Sequence, residues 1–225
     1  WGRASKMTDM SSGASSTPIN LTNQFLIAMP GMSDGNFAGT VVYLCEHNEK
    51  GALGLVINRP IDISLKNLFE KVDLPLDRGD LAERPVYLGG PVQTERGFVL
   101  HESLDDEGGH YNSTLKIAQG LEMTTSRDVL EALSNGAGPR KVFITLGYSG
   151  WSAGQLEDEI SRNGWLIVHA DPAVIFDTPE PTFRHELSPI YKGDRPSMPD
   201  ELAQQIPYLH ALIRALGIPL HMLPG

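Results

Sequence analysis

The stretch from Gly147 to Glu157 contains the residue types that form an anion-binding or active-site turn. An apolar β-type run over residues 142–146 precedes it, and a helix-like run from Gly154 to Arg162 follows its last glycine. A strand that turns through glycines into a helix directs backbone N–H groups outward, where they can bind an anion. The candidate binding residues of this turn are Tyr148, Ser149, Trp151 and Gln155.

Ser149 lies in a pattern that partly matches the nucleophile elbow of hydrolases, Gly-x-Ser-x-Gly. Trp151 replaces the final glycine, and no histidine or acid can be assigned as a catalytic partner in the expected order. Three interpretations remain open: a nucleophilic serine, a turn that binds an anion or partner through the N–H groups of residues 152–155, and a structural connection. We favour the structural connection, and no catalytic residue is assigned.

A second group of candidates lies at predicted strand ends next to glycine turns. Its members are Asn58, Arg59, Gly89, Gly90, Arg96 and His101. The planar guanidinium groups of Arg59 and Arg96 could bind one carboxylate or phosphate in a shared pocket. Salt bridges within this acid-rich chain are the favoured alternative. The glycines match neither the Walker nor the Rossmann phosphate-binding pattern.

The tripeptide Cys45-Glu46-His47 places a thiol, a carboxylate and an imidazole side by side at a predicted strand end. On a regular strand Cys45 and His47 face one side and Glu46 faces the other. A metal site would need further ligands from His101 or His110. A Cys–His nucleophilic pair needs a hydrogen bond that alternating strand residues provide poorly. A buried structural cysteine is favoured, and neither a metal nor a cofactor is predicted.

The overall composition restricts the classes of partner. The chain has 225 residues and a formal net charge of −10, which opposes binding to the phosphate backbone of nucleic acids. The single cysteine excludes an internal disulfide and suits a reducing compartment. No apolar run reaches the roughly 20 residues of a membrane span, and no signal peptide is visible. We expect a cytoplasmic protein that binds no nucleic acid directly and no membrane.

The hydrophobic pattern predicts strands interrupted by helices. Strands are predicted over residues 25–29, 40–47, 52–58, 85–88, 97–101, 114–117, 121–123, 142–146 and 165–169. Helices are predicted over residues 63–72, 126–136, 154–162 and 199–217, with a short turn or helix over 171–176. Asp62 or Ser64 is the predicted cap of the first helix and Ser126 that of the second. Hairpins together with crossover-like helices indicate an α+β fold with a mixed sheet.

The domain organisation follows from shifts in composition. Residues 1–19 are predicted to be a disordered leader, and residues 20–178 a single α+β domain. Residues 179–198 are interpreted as a proline-rich insertion. Residues 199–217 are predicted to form a closing helix that packs on the domain.

The order of the motifs resembles the YqgE/AlgH family of bacterial proteins. The resemblance rests on Phe25–Pro30, Thr40–His47, Gly51–Pro60, Leu88–Val92, Arg96–His101, Leu146–Trp151, Gly154–Glu157, Asn163–Leu166 and Ile175–Thr178. It implies a bifurcated sheet that includes a small closed barrel surrounded by helices. It also implies a regulatory role in alginate production and the label of transcriptional regulator, with no established reaction. The insertion over residues 179–198 departs from the family pattern.

Two hypotheses about function follow. The first is a cytosolic, non-enzymatic regulatory or interaction protein that acts through a protein or small-molecule partner. The second is an enzyme that handles phosphorylated small molecules or nucleotides through Arg59, Arg96, His101 and the turn over Ser149–Gln155. Convergence of these side chains on one concave pocket would favour the enzyme, and their separation would count against it.

Overall fold

The computed structural model describes residues 20–103 and 111–177. The predicted leader (residues 1–19), insertion (179–198) and closing helix (199–217) lie outside the described residues, so these three predictions stay predictions. The predicted domain over residues 20–178 corresponds almost entirely to the described part of the chain.

Strands dominate the described residues, and the helices are short. The strands are β1 (Gln24–Ala28), β2 (Val41–Asn48), β3 (Gly51–Val56), β4 (Pro60–Ser64), β5 (Pro85–Leu88), β6 (Val92–Glu102), β7 (Thr114–Lys116), β8 (Leu121–Thr124), β9 (Val142–Ser152) and β10 (Trp165–His169). The helices are α1 (Leu65–Lys71), α2 (Gly79–Ala82), α3 (Asp128–Ser134), α4 (Gln155–Ser161) and α5 (Pro172–Asp177). Within the described ranges no helix has the length and apolar character needed to cross a membrane.

All ten strands belong to one mixed sheet. The main path runs β10-β1-β2-β3-β9-β6-β8-β7, and β4 joins it through β5. Neighbours on this path are antiparallel, whereas β5 and β9 are parallel. The predicted mixed sheet is therefore confirmed.

The sheet forks at β9, which is the strand with the most partners. β6 occupies one edge of its first half, with Gly97 opposite Leu146. β5 therefore lies on the other edge, with Leu88 also opposite Leu146. From Ser149 onward β3 takes over that edge, with Gly54 opposite Ser149. One strand thus connects two branches of the sheet.

The sheet curls into an open half-barrel, and the closed barrel implied by the family resemblance is not found among the described strands. The path ends at β10 and β7, which do not pair with each other. The two ends meet through side chains, since the amide of Gln119 lies 3.1 Å from Nε2 of His169. The hydrophobic residues Val174, Ile175 and Phe176 of α5 complete the inner core where strands do not close it.

Alternation along the strands creates an inner core and two outer cores. Phe143 of β9 packs in the inner core, and its neighbours Val142 and Ile144 pack in an outer core that contains Phe69 of α1. The second outer core lies beneath α4 and contains Leu156. Since side chains of a strand alternate between faces, a sheet with helices outside and α5 inside is buried on both faces.

The largest difference from the predicted elements lies at Gly147. The sequence predicts a turn at these glycines, but β9 continues through them to Ser152. Gly147 has a φ of 73°, and a Cβ there would lie 2.6 Å from the carbonyl oxygen of Gly90. The glycine therefore allows a close crossing of two chain segments and does not end the strand. Only Gly154, with φ of 75°, marks the start of α4.

Smaller differences lie at helix starts. The N-cap prediction at Ser64 is confirmed, because its side chain accepts a hydrogen bond from the backbone N–H of Asn67. Helix α1 begins later than predicted, since residues 60–64 form β4. The predicted cap at Ser126 is wrong. Its hydroxyl bonds to the Asn112 carbonyl and the Asp128 carboxylate, and Arg127 occupies the cap position.

Candidate functional site

Ser149 is a structural residue at the fork of the sheet. Its side chain is fully buried, and its hydroxyl donates a hydrogen bond of 3.1 Å to the carbonyl oxygen of Gly89. The same oxygen accepts a bond of 2.9 Å from the backbone N–H of Val56. Ser149 therefore links β9 to the chain segment at Gly89, which lies between β9 and Val56 at the end of β3. This engagement leaves the hydroxyl neither accessible to a substrate nor paired with a described histidine.

Gly89 and Gly90 lie in this crossing because a side chain would not fit there. A Cβ at Gly89 would lie 2.3 Å from the carbonyl oxygen of Gly147, and one at Gly90 would lie 2.3 Å from backbone atoms of Tyr148. Both glycines are enclosed by neighbouring main chain. They serve close approach of main chains and present no cradle of free N–H groups to an anion.

Asn58 and Arg59 hold the loop between β1 and β2. The Asn58 carboxamide accepts from the N–H of Val41 at 2.9 Å and donates to the carbonyl of Gly39 at 3.0 Å. The Arg59 guanidinium donates to the carbonyls of residues 35, 36 and 38 at 3.3, 2.7 and 3.0 Å. Arg59 and Gly90 also line a small cleft of about 260 Å³.

Arg96 lies apart from that cleft. Its side chain is exposed, and Nη2 donates to the hydroxyl of Thr125 at 2.9 Å. Its guanidinium also lies over the ring of Phe98, with 5.9 Å between Cζ and the ring centroid. A cation above an aromatic face is stabilised by the ring quadrupole. The two arginines thus have separate partners and do not form one anion clamp.

His101 is buried beside Tyr111, which packs against the outer core that contains Phe69. Its Nδ1 donates to the carbonyl of Glu102 at 2.8 Å, which leaves Nε2 of the neutral ring to accept from the hydroxyl of Thr124 at 2.9 Å. Burial lowers the pKa of His101, opposed by the Glu102 carbonyl and by the nearby carboxylates of Glu122 and Glu102. The ring also packs edge-on against Tyr111. His101 is fully inaccessible and stabilises the β6–β8 pair.

Trp151 and Gln155 belong to a cluster around Glu159 on α4. One carboxylate oxygen of Glu159 accepts from the indole N–H of Trp151 at 2.9 Å and from that of Trp165 at 2.8 Å. The Gln155 carboxamide accepts from the N–H of Ser152 and donates to the other Glu159 oxygen, both at 3.0 Å. This network fixes α4 to the end of β9, and both indoles are core residues.

Cys45 and His47 do not form a pair. A β-bulge between Leu44 and Glu46 interrupts the alternation of β2, and Cys45 joins the inner core. Burial raises the pKa of the Cys45 thiol, which keeps it protonated. His47 Nε2 lies 3.0 Å from a carboxylate oxygen of Glu157 on α4. In the described residues no three His, Cys, Asp or Glu side chains are close enough to hold a metal.

A groove over β3 and β9, called here the β3–β9 groove, is larger than the cleft beside Arg59 and is lined by other predicted site residues. It has a volume of about 510 Å³. Its lining residues are Glu46, Asn48, Lys50, Gly51, Ala52, Leu53, Val92, Tyr148, Gly150, Trp151 and Ser152. Of the residues predicted to bind, Tyr148 and Trp151 line it. The other lining residues were not predicted. The sequence signal that could have indicated the groove is the pair of glycines at 51 and 150, which lie within strands.

The predicted site residues therefore lie in several separate places. Tyr148 and Trp151 reach the β3–β9 groove, whereas Arg59 and Gly90 reach the smaller cleft. Ser149 and His101 are buried in different parts of the sheet. The arrangement does not bring Arg59, Arg96, His101 and Ser149 to one concave pocket, which was the geometry that the enzyme hypothesis required.

Comparison with known proteins identifies the family of the chain. The sequence model of the AlgH-like family matches residues 25–190. A second model, for the N-terminal resolvase-like domain of 5'-3' exonucleases, matches only residues 166–225. A UPF0301 protein of Cupriavidus pinatubonensis is 58% identical over 211 residues, which is 94% of this chain and 96% of the relative. A UPF0301 protein of Ralstonia nicotianae is 69% identical over 162 residues, 72% of this chain and 83% of the relative.

Two solved structures are similar to this fold. The solution structure of the AlgH protein from Pseudomonas aeruginosa superposes with a TM-score of 0.62 at 50% identity and covers 80% of this chain and 93% of its own. A crystal structure from Corynebacterium diphtheriae has a TM-score of 0.57 at 21% identity over 81% of this chain and 90% of its own, which supports the fold alone. The motifs, the sheet and these relatives agree: the chain belongs to the YqgE/AlgH family.

Proposed function

We propose that this chain is a non-enzymatic regulatory or interaction protein of the cytosol that acts through a protein or small-molecule partner. One observation supports the proposal: the side chains that could act in catalysis are buried and form hydrogen bonds within the protein. Ser149 and His101 are inaccessible and hydrogen-bonded to the protein itself. The Cys45 thiol is buried and bonded to the Tyr43 carbonyl at 3.8 Å. Catalysis requires such groups to reach a substrate.

The β3–β9 groove is the proposed partner site. It contains half-buried apolar side chains of Leu53, Val92 and Tyr148 next to the charged groups of Glu46 and Lys50. Interaction sites combine an apolar centre with a polar rim in this way. The groove thus offers contact area and charge, without a nucleophile or a general base paired for chemistry.

Regulation through direct contact with DNA is not part of this proposal. The chain carries 28 acidic and 18 basic Lys or Arg side chains, a net charge of −10. A phosphate backbone is bound through clustered basic groups, and the groove presents one lysine beside one glutamate. A role in transcription, which the label attached to the family implies, would then pass through a protein or small-molecule partner.

Partner capture with groove variants tests the proposal. The full chain, Tyr148→Ala and Lys116→Ala would be immobilised and exposed to extract of the source bacterium. Lys116 is an exposed control on β7, at the far end of the sheet path. We expect a partner that the wild type and Lys116→Ala retain and Tyr148→Ala loses. Because the Tyr148 ring packs against Phe98, circular dichroism must show that Tyr148→Ala is folded at the temperature of the capture.

A thermal-shift screen against nucleotides and phosphorylated metabolites provides the opposing test. A ligand that binds only the folded state raises the melting temperature. Turnover of such a ligand, lost in Arg59→Ala or Arg96→Ala, would overturn the non-enzymatic proposal. Capture that is insensitive to Tyr148→Ala would instead reject the groove as the partner site.

A further inference from the structure

We propose that the β3–β9 groove takes an extended, basic segment of a partner protein, which adds a short strand to the open edge of β9 at Gly150. The proposal rests on the interaction role given above and names the chemistry of the partner. It depends on the direction of the backbone groups, on the end of β6 and on the charges beside the groove.

The backbone N–H and C=O groups of β3 alternate in direction between β2 and β9. The N–H of Ile57 donates to Val41 at 2.9 Å, so odd-numbered residues in this part of the chain face β2. The N–H of Val56 donates to Gly89 at 2.9 Å, so even-numbered residues face the opposite edge. Gly54 and Ala52 therefore turn their backbone groups toward β9, because these directions alternate along a strand.

The pairing with β3 also fixes the direction of the backbone groups of β9. Gly54 lies opposite Ser149 and Ala52 lies opposite Trp151, so Ser149 and Trp151 exchange the backbone hydrogen bonds with β3. Gly150 and Ser152 consequently direct their N–H and C=O groups to the other edge. The N–H of Ser152 supports this direction, since it leaves the ladder and donates to the side chain of Gln155 at 3.0 Å.

The neighbouring strand β6 begins at Val92 and does not extend beside Gly150. β6 pairs with β9 up to Val92, which lies opposite Tyr148. Before Val92 the chain passes through Pro91 and Gly90 into the fork, so no strand among the described residues continues beside Gly150. Gly150 is exposed and has no side chain to cover its own backbone. Its N–H and C=O groups form a short open sheet edge that lines the groove.

An extended peptide is the ligand that such an edge fits. Strand addition obtains affinity from main-chain hydrogen bonds and specificity from contacts with alternate side chains. Here the apolar contacts would come from Tyr148, Val92 and Leu53, which are each half-buried along the groove. A compact metabolite would leave the donor and acceptor of the edge without partners in register.

The charges favour a basic segment. Glu46 lines the groove, and its carboxylate accepts a hydrogen bond of 2.8 Å from the side chain of Asn48, which also lines it. The chain as a whole carries a net charge of −10, which attracts cationic partners from a distance. Lys50 lies at the hairpin end of the groove, where it would bind an acidic group of the same segment.

Amide hydrogen exchange on the free, full chain is the first experiment. We expect the Gly150 amide to exchange much faster than the amides of Ser149 and Trp151, which are bonded to β3. Slow exchange of the Gly150 amide would overturn the proposal. Slow exchange that depends on protein concentration would indicate a second copy on the edge, and concentration-independent protection would indicate cover by the chain itself.

The second experiment uses hexapeptides displayed on phage and selected on the full chain. Selected peptides would be synthesised with an N-methyl group at one position at a time. Methylation at alternate positions should weaken binding about tenfold, because each removes a main-chain donor facing β9. Failure to enrich any peptide, or equal tolerance of methylation at all positions, would overturn the proposal.

Charge reversal then tests the contact with Glu46. Glu46→Lys should weaken a basic peptide by about tenfold or more, and exchange of that peptide's basic residue for Glu should restore binding. Glu83→Lys, on the exposed end of α2, makes the same change in net charge as a control. Equal weakening by both variants would reject the basic-segment assignment. Capture of a partner through Tyr148 without peptide binding would leave the interaction role standing and reject strand addition.

Discussion

The two halves of β9 differ in how completely the protein surrounds them. Residues 142–146 are paired with β6 along one edge and with β5 on the other at Thr145 and Leu146, and they are almost entirely buried. Residues 149–152 are paired with β3 on one edge, and their exposure alternates from buried to exposed along the strand. One strand thus serves as the centre of the sheet and, beyond Gly147, as a boundary with solvent. A segment of β9 is central or exposed according to whether two neighbouring strands or only one extends beside it.

Substitution of Gly147, at the boundary between the halves, should have the largest effect. Gly147→Ala introduces a Cβ that would lie 2.6 Å from the Gly90 oxygen and 2.9 Å from the Val92 oxygen, at a φ of 73°. We expect a loss of about 3 kcal/mol or more of unfolding free energy in urea titrations, because backbone strain and overpacking add.

Gly120 is the matched control for that substitution. Its φ is 72°, but no atom lies within 4 Å of the position that an alanine Cβ would take, so it isolates the cost of the backbone conformation. Gly120→Ala should cost only about 1 kcal/mol. Equal losses at the two glycines would show that the crossing of Gly90 over β9 contributes nothing.

The second half of β9 should depend on α4, since it lacks the second neighbouring strand. Glu159→Ala removes the acceptor of two indole N–H groups on Trp151 and Trp165, which are 5% and 4% exposed. We expect a loss of about 2 kcal/mol in urea unfolding, because buried donors would lose their partner. Glu159→Gln, which retains an acceptor oxygen, should recover part of it.

Asp158 provides the control on the same helix. It is exposed and forms an i,i+4 ion pair with Arg162, so Asp158→Ala should change stability by less than about 0.5 kcal/mol. A loss as large as that of Glu159→Ala would mean that helix formation, and not the indole bonds, determines the stability of this region.

In the first half of β9, His101 lies opposite Val142. It should have a smaller effect on the free energy of unfolding than Gly147 or Glu159, and this effect should depend on pH. Burial lowers the pKa of His101 below its ordinary value of 6.5. Below pH 6.5 the unfolded chain therefore binds a proton that the folded chain excludes, and unfolding free energy falls as pH falls toward the folded pKa. At pH values well above the ordinary pKa both states are neutral and this contribution is constant.

Urea unfolding between about pH 7.5 and pH 5 measures that slope in the wild type and in His101→Gln. The variant has no proton to bind at this position, so its stability should depend less on pH even if it is lower throughout. An unchanged slope would show that other groups cause the acid sensitivity.

The strands were largely predictable from sequence because their signal is local. β-branched and apolar runs identified β1, β2 and the hairpin to β3, and an in-strand glycine indicated the close approach at Gly54. The course of β9 was not predictable. A glycine with positive φ has the same sequence signal whether it forms a turn or lets another segment cross, and the crossing segment at Gly89 is remote in sequence.

The candidate site was less predictable for a related reason. Residue type identified groups able to do chemistry, such as Ser149 and His101, but type does not reveal whether the protein's own polar groups already bind them. The groove residues Glu46 and Leu53 carry no motif. They line one groove with Tyr148 only because the bulge at Cys45 and the pairing of β3 with β9 place them side by side.

The fork at β9 also determines the order in which the chain can assemble. The hairpin of β2 and β3 is local and can form early. One edge of each of β3, β5 and β6, however, pairs with β9, which begins only at Val142. During synthesis these three strands leave the ribosome with unpaired edges. Closure of such long loops is slow compared with hairpin formation. Most of the long-range pairing in the sheet therefore becomes possible only after β9 has been synthesised, and the pairing of β1 with β10 follows.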